Sequence, residues 1–207
     1  MAIPTKNEDL HGNAPDEAEA ALLLIDVIND LEFEGGERLV EHALPMARHL
    51  AALKKRAKAA NIPVIYVNDN FGKWRSDLRT LIDHCLNDGV RGNKMVDLLL
   101  PDDNDYFVLK PKHSAFFSTT LETLLDYLKV KTLIITGIAA NICVLFTAND
   151  AYMRDFHLCV PSDCVVSNDV EVNRLALDQM KTVLKANITR STDLDLVKMN
   201  SRQGQEG

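Results

Sequence analysis

Apolar strand-like runs that alternate with longer helical patterns predict an α/β protein. It has three layers, with a mostly parallel six-stranded sheet between two layers of helices. Two features carry the prediction. Short runs rich in β-branched residues, such as Val64–Val67 and Thr132–Thr136, recur along the chain and are punctuated by Gly, Pro and Asn. The first run, Ala20–Asp26 (AALLLID), is apolar until its last residue, as a central strand covered on both faces has to be.

The elements follow in order. Met1–Glu19 reads as a polar arm, and Gly35-Gly36 as a loop after the first strand. Glu37–Ala60 is a long helical pattern with Leu39, Leu44, Ala47, Leu50 and Leu53 on one face. Asn61-Ile-Pro introduces the second strand, Val64–Val67. The polar stretch Asn68–Arg75 leads to a helix ending near Leu86. Asp88–Asp105, with Gly89, Gly92 and Pro101, reads as loop. Tyr106–Lys110 is the third strand, ended by Pro111, and Ser118–Leu128 a helix capped by Ser118 or Thr119. Thr132–Thr136 is the fourth strand, Phe156–Val160 the fifth, Asp169–Lys185 a helix and Asn187–Thr189 a short sixth strand. Ser201–Gly207 is a polar tail, so residues 20–200 form one domain.

The 207 residues suffice for one sizeable core, and 46% hydrophobic with 26% charged residues is ordinary for a globular domain. A net charge of −7 and the lack of a basic stripe argue against nucleic acid as a partner. No apolar run approaches the roughly 20 residues that span a bilayer, so no membrane partner is expected. The polar, acidic N-terminal stretch lacks the pattern of a targeting segment. The four cysteines have neither CxxC nor zinc-ligand spacing and read as reduced thiols of a cytoplasmic protein.

Chemistry concentrates in Lys131–Tyr152. After the fourth strand Gly137 breaks the run, Ala139 and Ala140 are small, and Asn141 stands where a helix N-cap belongs. Apolar residues then recur at helical spacing at Ile142, Leu145, Phe146 and Met153. Cys143 therefore falls in the first turn of a helix. Unpaired N–H groups and the helix dipole there favour a thiolate and lower the thiol pKa, and the same groups suit an oxyanion. In a parallel sheet, ligands bind beyond the carboxyl ends of the strands. Asp26, Lys110 and Cys143 all fall at such ends and bring an acid, an amine and a thiol to one cleft. An acid closing an apolar run needs a cation, and Lys110 offers one.

These segments resemble the isochorismatase-like cysteine hydrolase superfamily, which includes nicotinamidases and N-carbamoylsarcosine amidases and has a Rossmann-like fold. The family's nucleophile turn, G-φ-A-T-D-x-C-V-x-x-T-A-x-D-A, is matched by Gly137-Ile-Ala-Ala-Asn-Ile-Cys143-Val-Leu-Phe-Thr147-Ala-Asn-Asp150-Ala151. Its K-x-x-x-S-A-F segment is matched by Lys110-Pro-Lys-His-Ser114-Ala115-Phe116, and its opening strand by Ala21–Asp26. The resemblance, which runs from about Ala20 to Ser191, implies a catalytic triad of Asp26, Lys110 and Cys143. It also implies a cis peptide between Ile138 and Ala139, an oxyanion hole made by the N–H groups of Ala139 and Cys143, and a homodimer or homotetramer.

The implied reaction is hydrolysis of an amide, ureido or carbamoyl C–N bond of a small molecule through a thioester on Cys143, with Asp26 as base in both halves. Two alternatives are an inactive member that binds a metabolite or partner, and a vinyl ether hydrolase, whose reaction needs no thiol. The expected pocket is Ile28, Leu31, Phe33, Asn68, Trp74 and Phe116, with Asn29 and Asn68 as candidates to orient a substrate amide. Ile28 and Leu31 stand where many members carry Gln and Phe, which suggests a less polar substrate. Nicotinamidases hold a metal through Asp-x-His after the second strand. Here the stretch is Asp69-Asn-Phe71, so neither metal nor cofactor is expected.

Overall fold

The computed structural model describes residues 17–69 and 77–201. Its centre is a six-stranded sheet in the order β3-β2-β1-β4-β5, with β6 also paired to β4. The strands are β1 (Ala20–Ile25), β2 (Val64–Asp69), β3 (Tyr106–Lys110), β4 (Thr132–Ile138), β5 (His157–Cys159) and β6 (Val165–Val166). Every pairing is parallel.

The helices are α1 (Gly36–Ala59), α2 (Leu78–Asn87), α3 (Asn93–Leu98), α4 (Leu121–Leu128), α5 (Leu145–Tyr152), α6 (Val170–Thr182) and α7 (Leu196–Met199). Strand alternation divides the core. Ala21, Leu23 and Ile25 pack with Leu125 of α4, Ala148 of α5 and Met180 of α6. Ala20, Leu22 and Leu24 pack with Leu39 and Leu50 of α1, Val96 of α3 and Leu196 of α7. β1 is buried along its whole length, which is why its sequence shows no polar face.

β4 passes β1 beside the site at a glycine. Ile25 is in register with Gly137, and a Cβ on Gly137 would stand 2.0 Å from the Ile25 carbonyl oxygen. Gly137 also has φ +112°, so it does not interrupt β4 but permits the strand to run on to Ile138.

Three sequence expectations are corrected. The sixth strand is Val165–Val166, paired with Gly137 and Ile138. Asn187 makes only a single bridge to Cys159, because its side-chain oxygen captures the Thr189 N–H at 2.9 Å and turns the chain away. Asp88–Asp105 holds α3, whose Met95 and Val96 are buried. Along the turn and helix that carry Cys143 the core face includes Val144, Ala148 and Ala151, while Ile142, Phe146 and Met153 are exposed. Small residues there let the helix lie close to the sheet.

Candidate active site

The strand order reverses direction between β1 and β4, and the crevice beyond such a switch point is the usual ligand site of a parallel sheet. Asp26 leaves β1 with a left-handed φ of 53°. That costly conformation for a non-glycine residue breaks the strand's alternation. Asp26 ends 5% exposed, with its Oδ2 2.9 Å from the Lys110 ammonium. Lys110 comes from the end of β3, two strands and roughly 10 Å from β1, and its long side chain spans the gap while remaining fully buried. Between them, Asp69 at the end of β2 donates its N–H to Asp26 Oδ1 at 2.7 Å. The Asp69 carboxylate accepts from Lys110 at 3.4 Å.

Cys143 completes the group, with Sγ 3.4 Å from Lys110 Nζ. It lies in a π-helical turn, Ala140–Val144, that precedes α5; such wide turns recur at functional sites. The peptide between Ile138 and Ala139 is cis. Asn141 is not the helix cap. Its side chain accepts from the Ser167 hydroxyl at 2.7 Å, and its N–H donates back to that oxygen at 3.3 Å, so the turn is tied to the segment after β6. Ala139 occupies the cap position.

The two motifs hold each other. Thr147 and Asp150 lie one and two turns beyond Cys143, on its face of the helix. Thr147 Oγ1 accepts the Ala115 N–H at 3.0 Å and donates to the Cys143 carbonyl at 2.7 Å. Ser114 donates a short hydrogen bond to Asp150. The loop after Lys110 is thereby clamped to the helix that follows Cys143, which accounts for the spacing of Ser114 and Ala115 against Thr147 and Asp150.

Burial sets the electrostatics. It pushes the Asp26 carboxyl above the ordinary carboxylate value, against the pull of Lys110 and the Cys143 hydrogen bond. Burial also works against a charged Lys110, but the carboxylate of Asp26 and the neighbouring Cys143 outweigh it and hold the ammonium above its usual value. The Cys143 thiol is pushed up to about 12 by burial and by Asp26, with Lys110 opposing. The thiol pKa is therefore raised, contrary to the lowering expected from the helix terminus. A terminal dipole contributes about 0.3–1 kcal/mol, whereas burial of a charged group shifts a pKa by up to about 3–5 units.

The expected pocket residues divide. Ile28 and Leu31 are 0% and 1% exposed, packed in the core with α1 and α3. They present no surface to a ligand, so the inference of a less polar substrate loses its basis. Asn68 donates to the Ile28 carbonyl at 2.6 Å while its buried Oδ1 has no partner among the described residues, and Asn29 accepts the Leu31 N–H at 2.8 Å. Phe116 is buried beneath Arg154, whose guanidinium lies 4.8 Å from its ring centroid. Phe33 is exposed, and Trp74 lies outside the described residues. Sequence reasoning passed over His113, whose Nδ1 is 3.9 Å from Cys143 Sγ; its place three residues after Lys110 was the available signal. It also treated Asp69 only as a half-complete metal ligand. Its carboxylate faces Lys110, and Phe71 supplies no donor, so the metal of the nicotinamidases does not fit this donor set. No group of three potential metal ligands occurs among the described residues, and none of their helices is long and apolar enough to cross a membrane.

A buried acid, an ammonium and a thiol meet at the switch point of a parallel sheet in an α/β protein. Comparison narrows the class. The isochorismatase domain matches residues 20–193, and the chain belongs to the isochorismatase family of hydrolases. An uncharacterized isochorismatase family protein, YaaI of Bacillus subtilis (strain 168), is 47% identical over 172 residues, covering 83% of this chain and 94% of that protein. The ureidoacrylate amidohydrolase RutB of Methylobacterium radiotolerans is 28% identical over 208 residues, covering 88% and 80%. Among solved structures, an isochorismatase family protein from Desulfovibrio vulgaris superposes with a TM-score of 0.70 at 25% identity, over 87% of this chain and 98% of that one.

Proposed function

We propose that this protein is a metal-independent cysteine hydrolase that cleaves a C–N bond of a small amide, ureido or carbamoyl compound. The observation that carries the reading is the position of the Lys110 ammonium, 2.9 Å from Asp26 Oδ2 and 3.4 Å from Cys143 Sγ. One cation thus steadies both the proton acceptor and the developing thiolate.

At rest the thiol keeps its proton. When a carbonyl compound binds, Asp26, made more basic by burial, takes the proton and Sγ attacks the carbonyl carbon. The N–H groups of Ala139 and Cys143 receive the oxyanion, each donor contributing about 2.7–4 kcal/mol. The protonated Asp26 gives its proton to the leaving nitrogen, the C–N bond breaks, and a thioester remains for water to hydrolyse. The RutB relative is named for an amidohydrolase of this bond class, which supports the reading.

The test is a screen of small amides, ureido acids and carbamoyl compounds for ammonia release, repeated with Cys143→Ala. Turnover should vanish in the variant while its circular dichroism and melting remain those of a folded protein. Hydrolysis retained by a clean Cys143→Ala preparation would overturn the assignment.

A further inference from the structure

Thioester hydrolysis needs a base that water can reach. Asp26 is poorly placed for it: it is 5% exposed and already engaged by Lys110 and the Asp69 N–H. On the exposed side of the sulphur stands His113, with Nδ1 3.9 Å from Sγ. Its position is fixed from two directions. The following residues, Ser114 and Ala115, are clamped to Asp150 and Thr147. The ring itself leans on Phe146, with centroids 5.5 Å apart and planes at 55°. Phe146 is 52% exposed, an otherwise costly placement that gains a purpose as the platform for this imidazole.

We propose that His113 is the base of deacylation. The inference rests on the reading of Cys143 as the nucleophile and divides the proton work between two groups. Asp26 serves the thiol from the buried side, and His113 serves the water from the open side. An incoming water gives one proton to the imidazole as its oxygen bonds to the thioester carbonyl carbon. Collapse of the tetrahedral adduct breaks the C–S bond, and the electron pair stays on sulphur. The imidazolium returns its proton to Sγ, which it already faces, while the acyl group leaves as the carboxylic acid. Water is consumed, the thiol is restored, and no further reactant is needed.

The experiment uses 4-nitrophenyl acetate, whose leaving group requires no protonation, so that acylation and deacylation separate as a burst and a steady state. Two variants remove the base differently. His113→Phe keeps a ring against Phe146 and removes both nitrogens, and His113→Asn places an amide near the Nδ1 position that cannot take up a proton. Both should retain the burst and show a steady state about a hundredfold slower, in the range for loss of a general base. Intact mass should show the acetylated protein persisting, and peptide mapping should place the acetyl group on Cys143. Steady-state rates at the wild-type level would overturn the proposal. So would a burst lost together with the steady state, which would assign His113 to acylation. A burst retained in Cys143→Ala would overturn instead the nucleophile assignment on which the proposal stands.

Discussion

β3 carries a lysine–aspartate cluster at each of its ends, and the two are built for different purposes. At its start, the Asp105 side chain is buried and receives Lys54 at 2.8 Å, Lys58 at 2.7 Å and the Asp102 N–H at 2.8 Å. Lys54 also donates to the Leu100 carbonyl at 2.7 Å and lies over the Tyr66 ring. There the carboxylate's acceptor sites are taken by lysines and backbone, and no thiol is involved. At its end, Lys110 meets Asp26, Asp69 and the Lys112 carbonyl, and its remaining approach is filled by Cys143 Sγ at 3.4 Å. An ion pair at a strand end is therefore not a sign of chemistry. In the proposed reaction the end of β3 differs because its cation faces a group that gains charge.

The largest difference between the ends should come from removing their central lysines. In Lys110→Met a buried carboxylate loses its cation, and breaking a buried pair from one side costs about 3–5 kcal/mol. The loss should lie at the low end, because Asp26, already raised by burial, can neutralise itself by protonation. Turnover should fall by a factor of about 10² or more, in the range for loss of a group that assists proton transfer. Urea denaturation and ammonia release measure the two effects. A variant that keeps full activity would reduce the end of β3 to a structural pair.

Lys54→Met should be milder and of another kind. Lys58 still holds Asp105 at 2.7 Å, and the methionine chain still covers Tyr66. A loss of about 1–3 kcal/mol is expected, the cost of hydrogen bonds left unmade, with turnover unchanged once the protein is folded. Lost turnover at wild-type stability would show that the two ends of β3 are coupled.

The sequence exposes the thiol-facing end of β3 more clearly than the other, for a physical reason. β1, β3 and β4 are apolar blocks whose closing residues stand out against them, so Asp26, Lys110 and Cys143 could be read as neighbours of one cleft. Lys54 and Lys58 sit on α1, where basic residues look like an ordinary solvated face, and Asp105 looked like loop. α3 was hidden by Gly89, Gly92 and Pro101, although Gly92 is there because a Cβ would stand 1.8 Å from the Asn29 carbonyl oxygen. β6 has two residues, too few for any period to show. Ile28 and Leu31 were misjudged because sequence position cannot show that the chain turns inward after Asp26; Leu31 adopts a left-handed φ of 58° to do so.

The finest distinction between the two ends concerns the proton on Cys143. The thiolate is the species that alkylates, and with the thiol pushed up to about 12 only about one part in 10⁵ is ionised at pH 7, since each pH unit is a factor of ten. Iodoacetamide should therefore modify Cys143 slowly at neutral pH, about tenfold faster per pH unit, and without a plateau below pH 10. Lys110 opposes the rise, so Lys110→Met should slow the reaction at every pH in that range, whereas Lys54→Met should leave it unchanged. Peptide mapping separates Cys143 from Cys159, which burial also pushes to about 12 but which is 2% exposed against 9% for Cys143. A plateau near neutral pH would mean that the helix terminus outweighs burial and that the nucleophile is ionised before substrate arrives. Asp26 would then have no thiol proton to accept, and the ammonium at the end of β3 would be holding a thiolate at rest rather than one formed on binding.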